Sequence, residues 1–207
     1  RYAAVCDYKT GSPQLSLNEI MEGLSLQLIT YLLALSKTKD TKDLLPAAMM
    51  YIYLHGRPKS ISVPPNGIPH AKEKENTNGI FLNDPDVLRT LDSQSGTDDG
   101  FIGVSYVKDG SVKKTSPVLT AEEFEALKAL TEKILIRLYN RLESGEIAIH
   151  PVKNGTLSPC SYCPYRSICR FDPALPENSF DYISKVSDKT IREKLDEEMK
   201  RNGKENL

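Results

Sequence analysis

Val5-Cys6-Asp7-Tyr8-Lys9-Thr10-Gly11 closes the first apolar run of the chain, Tyr2-Ala3-Ala4-Val5-Cys6. The run reads as a buried strand, and Thr10-Gly11-Ser12-Pro13 stops it. Side chains alternate along a strand, so Asp7 and Lys9, two residues apart, share one face. Cys6 takes the opposite face, where it reads as a buried structural thiol. A carboxylate and an ammonium at the end of a buried strand are costly unless they pair or bind something. Two readings of the pair stand open. One is a solvated strand end; the other is a carboxylate that holds a divalent cation beside a lysine able to touch a phosphate or a water.

The next segment bears on that choice. Ser16-Leu17-Asn18-Glu19 has the form of a capping box, with Ser16 as N-cap and Glu19 at the third helical position. It predicts one helix running to about Ser36. Leu17, Ile20, Leu24, Leu28, Leu32 and Leu35 recur at helical spacing and make its apolar stripe. Gln27 and Tyr31, four apart, stack on the rim of that stripe. Gly23, one turn earlier, allows another backbone or a ligand to come close. An amide and a phenol on such a rim need partners. Those partners are found inside the protein or in a site shared with Asp7 and Lys9.

Cys160, Cys163 and Cys169 follow a C-x₂-C-x₅-C spacing within a Cys-rich loop over 158–172. Three clustered thiols without a signal peptide point to a metal rather than to disulfides. Thiolates suit zinc or an iron–sulfur cluster, and both normally take four ligands. His55, His70 and His150 stand apart from one another and read as surface or hydrogen-bonded histidines. Met49 and Met50 read as core filler.

At 207 residues the chain is long enough for one domain with a real core, over residues 1–180, followed by a charged tail over 181–207. Lys and Arg total 27 against 28 Asp and Glu, so no overall basic field draws the chain to nucleic acid. No stretch is apolar enough to cross a bilayer. Arg1 opens inside a strand without Met, which reads as a piece of a longer protein. Pro46 to His55 predicts a second strand, and residues 59 to 79 a long loop. Asp84-Pro85 opens a short helix to Leu91. Lys108-Asp109-Gly110-Ser111 marks a hairpin between Phe101–Val107 and Val112–Thr115. Thr120 with Glu123 repeats the capping box, and Phe124, Leu127, Ile134, Leu138 and Leu142 line a helix that ends at Gly145. Arg57, Lys59, Lys113 and Lys114 form either a solvated face or a phosphate-contacting one.

Taken together, the D-x-K stretch, the run Gly23-Leu24-Ser25-Leu26-Gln27-Leu28-Ile29-Thr30-Tyr31 and the cysteine run resemble the RecB-type branch of the PD-(D/E)xK nucleases. D-x-K and Q-x-x-x-Y stand in that family's order and at its usual separation. The cysteines look like those of its iron–sulfur nuclease domains. Nearly the whole chain resembles the C-terminal part of the AddB type, a component of bacterial ATP-dependent helicase/deoxyribonucleases. The resemblance implies an α/β fold, with a mixed sheet and flanking helices. It also implies a Mg²⁺-dependent exonuclease that processes double-strand DNA ends in the cytoplasm, with an AddA-type partner and no membrane.

On the same resemblance, Asp7 and the Tyr8 carbonyl would hold Mg²⁺ and Lys9 would orient the attacking water or stabilise phosphate charge. Gln27 would position Lys9 or the metal's water, and Tyr31 would support the substrate. Cys160, Cys163 and Cys169 would carry three ligands of a 4Fe–4S cluster. The fourth cysteine and a further metal carboxylate would lie upstream of Arg1. The cysteine loop would then be poorly ordered, or held only by packing of Tyr162, Tyr165 and Phe171. Two other classes stay open: a metal-stapled module that grips DNA or a partner without cutting, and a structural zinc-binding domain.

Overall fold

The computed structural model describes residues 1–11, 13–54, 77–97, 100–176 and 178–205, the last four as backbone only. Four strands form a mixed sheet in the order β1 (Tyr2–Lys9), β2 (Leu45–Tyr53), β3 (Thr77–Leu82), β4 (Val118–Leu119). β1 runs parallel to β2, β3 antiparallel to β2, and β4 parallel to β3. This is the α/β, mixed-sheet architecture expected. The parallel β1–β2 step requires a crossover, which is supplied by α1 (Leu17–Met21) and α2 (Gln27–Lys37).

Those two helices replace the single helix expected over residues 16–36. The chain breaks at Gly23, whose φ of +85° is a left-handed conformation that a side chain disfavours. Gly23 N–H donates to Ile20 O and Leu24 N–H to Glu19 O, which closes α1 with a Schellman pattern. Ser25, at φ +50°, extends the break, so α2 begins at Gln27. The capping box at Ser16 is half formed. Ser16 Oγ accepts from Glu19 N–H at 3.5 Å, but the Glu19 carboxylate turns away to Ser25 and Asn154.

One sheet face carries Val5, Met49, Tyr51, Ile80 and Leu82 beneath Ile20, Leu28, Ile29 and Leu32 of the crossover. The N-terminal half of α4 (Ala121–Glu143) and the first turns of α6 (Asp188–Glu205) complete this core with Phe124, Leu127, Ile191 and Leu195. α6 is joined to α4 by the ion pairs Arg192–Glu123 and Lys133–Glu198, and Leu195 is fully buried. On the other face Ala48, Met50 and Phe81 pack against Leu88 of α3 (Pro85–Leu91), Ile102, Val104 and Val118.

Several expectations are corrected. Residues 77–79 lie in β3 rather than in a loop; the rest of that loop, with His55, Arg57, Lys59 and His70, falls outside the described residues. The apolar run of β1 is buried on one face only, because β1 is an edge of the described sheet. Its even-numbered face leaves Tyr2, Cys6 and Tyr8 exposed, so Cys6 is not the core thiol expected. The hairpin at Gly110 reduces to one bridge, Tyr106 to Val112, with Gly110 at φ +85°. Along α4 the capping box of Thr120 and Glu123 forms in both directions, yet Leu138 and Leu142 emerge exposed. The apolar stripe is longer than the core that the described residues supply.

Candidate active site

The end of β1 brings together side chains that are far apart in the chain. Lys9 Nζ lies 2.6 Å from Asp7 Oδ2 and donates to Gln27 Oε1 at 3.1 Å. Gln27 Nε2 in turn donates to Tyr31 Oη at 3.2 Å. Strand alternation puts Asp7 and Lys9 on the α2 side, and the break at Gly23 and Ser25 delivers Gln27 as the first residue of α2. Had one helix run through, its turn phase would have fixed Gln27 differently. Gln27 and Tyr31 are exposed, so the row opens to solvent.

Tyr51 joins this group, although nothing in the sequence singled it out. It pairs with Asp7 across the β1–β2 register, is 4% exposed, and carries Lys9 Nζ 5.0 Å from its ring centre. Such a cation over a tyrosine face is attracted by the ring quadrupole. Only the register of two strands separated by a crossover reveals it. Burial foremost pushes the Tyr51 phenol above its ordinary range, with Lys9 working against that shift. The contact with Asp7 raises Lys9 above the ordinary lysine value, against the cost of burial, so it is an ammonium at neutral pH.

The same strand end offers oxygen ligands to a divalent cation. Asp7 Oδ2 is shut off from solvent and has no aligned hydrogen-bond donor; Lys9 meets it as an ion pair only. A buried carboxylate oxygen left this way is short of a partner, and a cation supplies one. Lys9 O accepts from Leu54 N–H on the β2 side. Backbone groups alternate along a strand, so the preceding Tyr8 carbonyl faces the unpaired edge of β1. Asp7 and the Tyr8 carbonyl thus fit one side of a hard-cation site. Among the described residues no three His, Cys, Asp or Glu side chains converge, so these two groups are a partial ligand set.

The chain matches the PD-(D/E)XK nuclease superfamily over residues 1–170. It belongs to that superfamily. Among its relatives are proteins named as the B-type component of an ATP-dependent helicase/deoxyribonuclease. The one from Desulforamulus reducens is 32% identical, with 92% of this chain covering 17% of the relative. The Clostridium kluyveri protein is 33% identical over the same shares, and the Bacillus licheniformis protein 30%, with 96% of this chain and 18% of the relative. The chain therefore spans less than a fifth of the length of these relatives.

Cys160, Cys163 and Cys169 sit in a separate small unit. It holds a 3₁₀ turn (Pro159–Ser161), α5 (Arg166–Cys169) and a two-stranded ladder of β5 (Val152–Lys153) with β6 (Asp181–Tyr182). The three thiols are half-buried but do not converge as a metal-ligating group, so they do not fit an iron–sulfur cluster as they stand. The unit is ordered, contrary to the first of the two expectations for it. Its packing also differs from the second: Phe171 meets Phe180 edge-on at 4.8 Å, whereas Tyr162 and Tyr165 are exposed. Lys153 lies 4.9 Å over the Phe180 ring and ties the ladder to that pair.

Proposed function

We propose that this chain is the DNA-cleaving domain of an ATP-dependent helicase/deoxyribonuclease. It hydrolyses DNA phosphodiesters exonucleolytically at double-strand ends, beside an AddA-type partner. Membership of the nuclease superfamily and the names of the relatives support the class of reaction. The observation that carries the reading is the contact series Asp7, Lys9, Gln27, Tyr31 at one strand end, open to solvent.

Asp7 and the Tyr8 carbonyl are assigned to hold Mg²⁺. When bound, the ion polarises the phosphate and lowers the pKa of water at the reacting centre. Lys9, held as an ammonium by Asp7, offers its charge to the phosphate oxygens as negative charge builds there. Gln27 fixes the direction of Lys9 by accepting its N–H, and Tyr31 fixes Gln27. Tyr51 forms the floor that keeps Lys9 from swinging into the sheet.

The test is Asp7→Ala in the intact protein, assayed on labelled duplex with Mg²⁺. Cleavage should fall by several orders of magnitude, as loss of a metal ligand removes the activated water. Unfolding should be unchanged within about 1 kcal/mol, since the variant also releases a partnerless buried oxygen. Activity that survives at the wild-type level would return the chain to the reading of a DNA-gripping module.

A further inference from the structure

A cleft of about 460 Å³ lies on the same sheet face as Lys9, between α1, the segment before β4 and the N-terminal turn of α6. We propose that it is a strand-binding subsite, which seats nucleotides flanking the scissile phosphate and holds their backbone through Lys114 and Lys185. This rests on the nuclease reading of Asp7 and Lys9.

Position is the first argument. Asp7 pairs with Tyr51 and Tyr51 with Asn78, so the three form one row across β1, β2 and β3 and face the same way. Two strand spacings make that row about 10 Å long, or roughly three stacked nucleotides at about 3.4 Å each. Asn78 Oδ1 accepts from Leu15 N–H, and Leu15 lines the cleft with Ile80, two residues further along β3. Glu19 belongs to both places: it lines the cleft and its charge acts on the Tyr51 phenol.

Charge is the second argument. Arg192 also lines the cleft, but Glu123 and the Val118 carbonyl hold its guanidinium. Lys114 and Lys185 are exposed, and neither has an ion-pair partner among the described residues. The Glu19 carboxylate is occupied by Ser25 and Asn154. Asp188, the remaining lining acid, sits in the first turn of α6, where the helix N-terminus offsets its charge. Two uncommitted ammonium groups therefore face a trough with apolar floor at Leu15 and Ile80. That pairing suits a phosphodiester backbone with its bases laid inward. The volume is that of an ordinary small-ligand site and accommodates a nucleotide.

The experiment measures binding of fluorescein-labelled oligothymidylate to the intact protein in EDTA, across a salt series. Lys114→Gln with Lys185→Gln should weaken binding about tenfold or more, and flatten the log Kd against log salt slope by about 1.4 for two phosphates. Lys42→Gln, an exposed charge in the turn before β2, should bind as wild type does. Both lysines are exposed, so the melting temperature of the double variant should match wild type. An unchanged slope and Kd in the double variant would overturn the subsite, as would a wild type that fails to bind the oligonucleotide. Asp7→Ala separates the two readings. If it abolishes cleavage while the double lysine variant binds normally, the nuclease site stands and the subsite falls.

Discussion

Gln27 accepts a hydrogen bond from the Lys9 ammonium at 3.1 Å, across 18 residues of chain and a broken helix. The contact exists because α2 starts at Gln27, where the break turns its side chain toward the end of β1. A hydrogen bond to a charged group is worth about 1.5–3 kcal/mol. Gln27→Leu should therefore lower kcat for DNA cleavage by about 10- to 100-fold. Gln27→Glu, which keeps an acceptor for Lys9, should recover part of the loss. Because Gln27 is exposed, urea midpoints of both variants should stay near wild type. Equal activity in wild type and Gln27→Leu would remove Gln27 from the site.

Lys9 gives a signature in pH. Contact with Asp7 raises it above 10.5, so the folded state holds this proton more tightly than the unfolded chain. The stability it contributes is fully present below the ordinary lysine value and is lost as pH rises through the higher folded value. Melting temperatures of wild type and Lys9→Met, measured from pH 8 upward, should keep a constant gap to about pH 10 and converge beyond it. A gap that closes near neutrality would mean that the ion pair with Asp7 does not hold Lys9 in solution.

Gly23 tests the break itself. A Cβ there would meet only Ile134 Cγ2 at 3.5 Å, an ordinary contact, so space is not the obstacle. The φ of +85° is the obstacle. Gly23→Ala should cost about 1–2 kcal/mol in urea unfolding and lower cleavage along with it, because the strain is relieved by moving Gln27. A stability loss without any loss of activity would show that α2 docks independently of α1.

The last helix can be tested in the same way. Leu195 is completely buried in the core shared by α4 and α6. Leu195→Ala should cost about 2–5 kcal/mol, with the cavity left behind setting where in that range it falls. Denaturation by urea, followed by circular dichroism, reads this directly. A cost under about 1 kcal/mol would mean that α6 rests on the domain without completing its core.

Much of this molecule was legible in its residues because the signals were local. Asp7 and Lys9 share a face by strand alternation alone. Asp84-Pro85 and the Thr120–Glu123 box mark helix starts through hydrogen bonds within one turn. The family resemblance likewise rests on short spacings, D-x-K and Q-x-x-x-Y. What the tertiary structure alone decided involves distant partners. Whether Gly23 bends a helix or breaks it depends on the packing of Ile20 and Leu28, since the apolar stripe runs through both outcomes. Cys6 is apolar in character and lies in an apolar run, yet an edge strand covered on one face leaves it exposed. Tyr51 entered the site through the β1–β2 register, and the cleft near Lys114 and Lys185 required α6 to fold back onto α4. Pairing energies of this kind depend on which surfaces meet, and a linear pattern carries the faces without saying what they meet.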